Sequence, residues 1–400
     1  MDHEWLSVPI GVDADRWVSR RGCRRILAIV HTIVSCQRVL DVIDLVESDP
    51  GVQIAFTVAP DVFNRGVRDY LEALGALTIS WQQATQERFH LAVAASYGGL
   101  SAIHAPLMMM AHGAGHGKMA RPPEQGGPIV AEAPVYGLDA HQLLRAGRVL
   151  PSALVLAHDG ERQVLERQCP AALPVAVMAG DICYDRLLRS LPQRPAYRRA
   201  LEIGDEQRLV VVSSTWGHDG IFGATQELLP ALMSSLPAGR FRVAALLHPA
   251  IWAHGHRQVR AWTAECRSAG LILPAPTEDW RAVIAAADHV VGDHGSVTAY
   301  AAAAGIPLVC VEGETSRRVA PGTAQELVLQ QATRVRPGDP WEPQLRNAVP
   351  LKANSIVERL TSYPGEAGER LRRHLYRLLG VPQPGKHRQI APVPVPRAMS

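Results

Sequence analysis

Residues 111–118, AHGAGHGK, close the apolar run APLMMM with two histidines, three glycines and a lysine. An imidazole titrates near neutral pH. His112, at the end of such a run with glycines clearing space around it, suits general-base work on a hydroxyl nucleophile. His116 and Lys118 follow in the same loop and would meet anionic groups. Two histidines four apart hold a metal from a helix face, and Gly113, Gly115 and Gly117 argue against a helix there, so no metal is expected.

A second segment offers different chemistry. In VVGDHGSVTAYAAAAGIPLV (290–309) a strand ends at Gly292, Asp293 and His294 turn the chain, and an Ala-rich helix begins near Ser296. The first N–H groups of a helix have no intrahelical partner and lie at the positive end of its dipole, which suits a phosphate. Gly295 permits close approach, Val297 lies in the same first turn, and Ser296 and Thr298 add hydroxyls. The same pattern also describes a plain strand-to-helix turn with Ser296 or Thr298 as its cap.

Two further strand ends carry polar groups. VVVSSTWGHDGIFG (210–223) opens from a strand into Thr215, Trp216, His218 and Asp219, and LLHPAI (246–251) places His248 and Pro249 at another. Each also reads as a loop satisfying its own backbone. His31 closes a strand near the N-terminus, just before TIVSCQ.

The elements that must position these groups alternate along the chain. Strands are predicted at 24–30, 52–60, 90–96, 105–113, 152–161 and 173–181, with helices near 39–46 and 62–74. The stretch 191–208 reads as a linker. A second series follows at 209–214, 241–249, 271–276, 289–295 and 306–313. Continuous apolar strands alternating with helices indicate a parallel sheet covered on both faces. The fold class predicted is therefore α/β, with two doubly wound Rossmann-like domains facing a central cleft, at 22–190 and 205–362. In such sheets ligands bind beyond the C-terminal strand ends, where the residues above fall. A helix at 366–380 is expected to pack back as the C-terminal helix with Arg370, Arg372, Arg373 and Arg377 in solvent. The Pro-rich stretch 381–400 reads as a disordered tail.

Composition excludes several classes. Four hundred residues exceed one ordinary core, and 47% hydrophobic with 20% charged content is that of a globular protein. The net charge of +3 comes from 41 basic and 38 acidic residues without a basic block, so nucleic acid is not an expected partner. Six cysteines lack any CxxC pair, which suits reduced thiols. No run of ~18 apolar residues spans a membrane, and the N-terminal stretch lacks a signal-type apolar core. A cytoplasmic location is expected, with peripheral membrane contact left open.

In this order the four segments resemble the CDP-glycerol glycerophosphotransferases of teichoic acid synthesis, which have the GT-B glycosyltransferase architecture. The family's HGT-P segment and following Lys correspond to AHGAGHGK, its PTW to SSTWG with Thr215 and Trp216, its HP to His248 and Pro249, and its D-x-S-S to Asp293 and Ser296. AGDICYDRL (179–187) is similar to the segment before the family's interdomain linker, and the likeness runs over about residues 105 to 312. Ala114 and Gly115 stand in place of Thr and Pro, Lys118 falls one position late, Gly295 replaces a serine, and Leu246 stands where an arginine often precedes His-Pro.

The resemblance implies a nucleotide-diphosphate donor of CDP or UDP type carrying a sugar or (phospho)polyol. The second domain would hold it, with residues 295–298 and His248 on the phosphates. His112 would be the base for an acceptor hydroxyl, with neither metal nor cofactor. Two alternatives remain: a hydrolysing NDP-sugar epimerase using Asp219, Asp293 or Glu312, and a non-catalytic nucleotide- or partner-binding relative.

Overall fold

The computed structural model describes Ile10 and residues 19–120, 133–218, 220–311, 318–336, 338–385 and 389–397. The chain forms two compact units. The first comprises Met1–His112, Gly137–Cys183 and Tyr363–Ile390; the second comprises Gly113–Tyr136, Tyr184–Ser362 and Ala391–Ser400.

In the first unit, β1 (Arg24–Val30), β2 (Val52–Val58), β3 (Thr78–Ile79), β4 (Leu91–Ala94) and β5 (Leu107–Met109) belong to one sheet. A short antiparallel hairpin, β6 (Leu144–Arg145) and β7 (Arg148–Val149), stands apart, and β8 (Ala153–Leu156) and β9 (Ala176–Met178) complete the sheet. Its order is β3-β2-β1-β4-β5-β8-β9 and every pair is parallel. The last five residues of RRILAIV are all buried, the mark of a strand covered on both faces. Thr32 and Ser35 form a capping box that starts the helix Ile33–Ile43, and Val39, Val42 and Ile43 enter the core. Met108, Met109 and Met110 are core filling.

The helix Ala367–Leu379 lays Leu371, Leu375, Tyr376 and Leu379 into this core. Tyr376 Oη donates to Asp49 Oδ2 at 2.7 Å, and burial, then that contact, pushes its phenol to about 12. Of its four arginines, Arg372 departs from the expectation of solvent. It is buried and donates to the carbonyls of Leu45 and Pro384, because it sits on the helix face turned to the core.

The second unit carries β10 (Arg208–Ser214), β11 (Phe241–Leu247), β12 (His289–Gly292), β13 (Leu308–Cys310) and β14 (Thr333–Arg334), parallel throughout in the order β11-β10-β12-β13-β14. The expected strand at 271–276 reduces to one bridge, Ile272 with Ala244, since Pro274 and Pro276 remove ladder donors. The expected linker at 191–208 is largely ordered: it holds the helix Arg194–Ala200, tied down by Asp288. That carboxylate pairs with Arg194 at 2.7 Å and Arg198 at 2.8 Å and accepts from Leu209 N–H at 2.7 Å. Of the stretch 381–400, residues 386–388 and 398–400 lie outside the described residues. Val393 is buried, its N–H donating to Ser190 Oγ and its carbonyl accepting from Tyr197 Oη.

Both sheets reverse their winding once, between β1 and β4 in the first unit and between β10 and β12 in the second. In open parallel sheets ligands bind beyond the C-terminal strand ends at such a reversal. No helix among the described residues is long and apolar enough to cross a membrane.

Candidate functional site

At the reversal of the second unit, the turn after β10 and the turn after β12 are joined by one carboxylate. Asp293 Oδ2 accepts from Thr215 N–H at 2.7 Å and Thr215 Oγ1–H at 2.8 Å, with Ile221 N–H at 3.4 Å; its Oδ1 accepts from Gly295 N–H at 3.0 Å. Asp293 is 2% exposed, so these donors replace water around it. Gly220 and Gly295 let the turns close this tightly: a Cβ on Gly220 would collide with the Thr215 carbonyl, and one on Gly295 would meet Thr215 Cγ2 at 2.7 Å.

The helix Ser296–Ala303 starts from this platform. Its N-cap is Gly295, which supplies no side-chain cap, so the first N–H groups are not closed off by a capping residue. Ser296 and Val297 are half-buried at its start. Thr298 Oγ1 is buried without a protein hydrogen bond, against Gly292, where a Cβ would collide with it. His294 is buried in the same turn, Trp216 is half-buried and His218 exposed. His248 closes β11 and caps the following turn, its Nδ1 accepting from Ala250 N–H at 3.1 Å.

The segment that opens with Gly113 belongs to this same unit. Ser296 Oγ accepts from Ala114 N–H at 3.0 Å, Tyr300 Oη donates to the Gly113 carbonyl at 3.1 Å, and Gln325 Nε2 donates to the Ala114 carbonyl at 2.9 Å. Gly113 and Gly117 are the residues that permit the approach. A Cβ on Gly113 would stand 2.6 Å from Ser296 Oγ, and one on Gly117 would collide with the Gln325 amide. His116 is buried in the segment and Lys118 exposed, with Lys118 bridged to Val319. Thus Gly113, Ser296, Thr215, Gly295 and Asp293 share one neighbourhood. Tyr300 and Gln325 complete it without any motif of their own; the alternating glycines were the sequence sign that something packs close.

The boundary between the units falls at the bond between His112 and Gly113. His112, exposed at the end of β5, places Nδ1 2.9 Å from the Ala95 carbonyl at the end of β4. A carbonyl only accepts, so the proton sits on Nδ1 and Nε2 is the basic nitrogen of the neutral ring. His31, at the end of β1, is fully buried and places Nε2 2.8 Å from the Gly98 carbonyl. Burial holds its pKa below the usual 6.5, against the opposing pull of the Gly98 carbonyl and of Asp61.

The six cysteines are unbridged, and burial pushes Cys36 and Cys310 to about 12, where a thiolate nucleophile is scarce. Among the described residues no three His, Cys, Asp or Glu side chains are grouped to hold a metal ion. Of the acids an epimerase-type reaction would use, Asp219 and Glu312 lie outside the described residues, and Asp293 gives both oxygens to the platform.

No family model matches this sequence, and no curated protein matches it. Solved structures do match. The chain is similar to the wall teichoic acid polymerase TagF with a TM-score of 0.60 at 9% identity, over 89% of this chain and 88% of that one. A form of TagF soaked with CDPG gives 0.59 at 9% identity over the same shares. MnaA of S. aureus with UDP gives 0.55 at 11% identity, over 93% of this chain and all of the other, 100%. At these identities the likeness is one of fold: two Rossmann-like α/β units of the GT-B type.

Proposed function

We propose that the protein is a GT-B transferase that moves a sugar or phosphopolyol from a nucleotide-diphosphate donor of CDP or UDP type to an acceptor hydroxyl. The observation that carries this reading is the joining of the Thr215 turn and the Ser296 helix start on Asp293, at the sheet reversal. Support comes also from the fold, shared with one protein soaked with CDPG and another holding UDP.

In this account the N–H groups at 295–298 and the His248 ring face the donor phosphates. As the bond to the leaving nucleotide breaks, charge grows on its phosphate oxygens, and fixed dipoles already aimed there stabilise it without reorganising. His112 Nε2 takes the proton from the acceptor hydroxyl as its oxygen attacks, a contribution of ~10²–10⁴-fold. With a sugar donor the acceptor oxygen bonds to the anomeric carbon and a nucleoside diphosphate leaves. With a phosphopolyol donor it bonds to phosphorus and a nucleoside monophosphate leaves. The acceptor is a small hydroxyl compound or a lipid-linked chain, and the domain assignment, donor side at 205–362 and acceptor side at 22–190, follows the same reading.

Calorimetric titration with CDP, UDP and GDP tests it. Saturable binding of one diphosphate in preference to the others supports the proposal; no binding of any favours the non-catalytic relative.

A further inference from the structure

The ends of β1, β4 and β5 lie side by side, with Ile29 in register with Ala94 and Ala94 with Met109. His31 follows β1 and His112 follows β5, and between them runs the turn 95–98 that leaves β4. Both imidazoles are bonded to that turn, His112 to the carbonyl at its start and His31 to the carbonyl at its end. The next residue, Gly99, has φ of 71°, and a Cβ there would stand 3.1 Å from the Trp81 ring. A Cβ on Gly98 would stand 3.6 Å from the His31 ring. His31 thus packs against Gly98 at the end of the turn and Trp81 against the next residue, Gly99.

His31 is held in one state. Nε2–H donates to the Gly98 carbonyl, and Nδ1 is buried without a hydrogen-bond partner. A second proton would place a charge on a fully buried nitrogen that faces no protein acceptor. Its main-chain N–H is tied as well, donating to Ser35 Oγ at 3.0 Å within the capping box of the helix behind it. A neutral, single-tautomer donor on a braced backbone is a rigid clamp for the Gly98 carbonyl.

We propose that His31 is a positioning residue for His112: by clamping the 95–98 turn it holds the Ala95 carbonyl where it keeps the His112 proton on Nδ1 and Nε2 basic. This rests on the reading of His112 as the base, and extends it to a residue that touches no substrate. Without the clamp, the Gly98 carbonyl must find another donor, the turn shifts, and His112 exchanges between tautomers. Half of the time or more its basic nitrogen would then be the wrong one.

The test is the tautomeric state of His112 in the full chain labelled with ¹⁵N-histidine, read from two-bond ¹H–¹⁵N correlations and assigned by their loss in His112→Gln. Wild type is expected in the Nδ1–H form. His31→Gln, whose amide reaches the Nε2 position, keeps that form, whereas His31→Leu shows an averaged ring and, because the ring is displaced with the turn, a kcat lowered on the order of 10²-fold with KM little changed. Should His31→Leu not fold, His31→Asn takes its place, because its amide reaches only the Nδ1 position. A wild-type His112 that already averages, or one that stays Nδ1–H without the clamp, overturns the proposal. Neither result depends on turnover, so the clamp is judged apart from the base: normal transfer by His112→Ala would remove the base reading and leave the tautomer measurement standing.

Discussion

Thr215 is bound to Asp293 twice, through its N–H and through its hydroxyl, and both bonds end on the same carboxylate oxygen. That oxygen spans the reversal between β10 and β12, so the hydroxyl-rich turn and the start of the helix Ser296–Ala303 are joined into one structure. Removing the carboxylate strands at least two buried donors, each costing about 1–3 kcal/mol. Asp293→Ala is therefore expected to lose about 2–4 kcal/mol in urea denaturation and most of its nucleotide affinity. An unchanged midpoint would show that the turns hold without it.

Gly220 makes a sharper prediction because its obstacle is main chain. A Cβ there collides with the Thr215 carbonyl, which cannot rotate aside. Gly220→Ala should cost about 1–3 kcal/mol. Gly239→Ala is its control: a Cβ there meets nothing within 4 Å, and its effect should stay within about 0.5 kcal/mol.

Ser296 serves the fold and the proposed ligand through different atoms. Its oxygen accepts from Ala114 N–H, and its own proton remains a donor for a phosphate oxygen. Ser296→Ala should cost about 1 kcal/mol of stability and also weaken diphosphate binding in calorimetry. Loss of stability with unaltered affinity would make it a strut for the 113–119 segment and nothing more.

Acid should weaken the fold through its buried histidines. Burial lowers the pKa of His31, and burial likewise that of His289, below 6.5, so each binds its proton more tightly unfolded than folded. Their contribution is complete above the unfolded value and is lost as pH falls through 6.5 towards the folded one. The denaturation midpoint should drop between about pH 7.5 and about pH 5.5, and drop less in His31→Gln. A flat profile in wild type would contradict the burial argument.

How much of this was legible beforehand follows from the range of the interactions. Buried strands such as RRILAIV and LVVVSS announced themselves by unbroken apolar runs, and the polar residues closing them fall at the C-terminal strand ends, as expected. The prolines in LILPAP and the charges in 191–208 misled, because one removes a ladder and the other conceals a helix pinned by Asp288 from far along the chain. Main-chain partners carry no motif, so the Ala95 and Gly98 carbonyls were invisible. Tyr300 and Gln325 reach Gly113 and Ala114 across nearly two hundred residues or more, a distance no local pattern spans.

The most direct measurement of the central claim is release of nucleoside mono- or diphosphate from a panel of CDP- and UDP-activated donors, wild type against His112→Ala. The account predicts turnover of one donor class by wild type, and a loss on the order of 10²–10⁴-fold in the variant with diphosphate affinity nearly unchanged. A variant that turns over at the wild-type rate would contradict it.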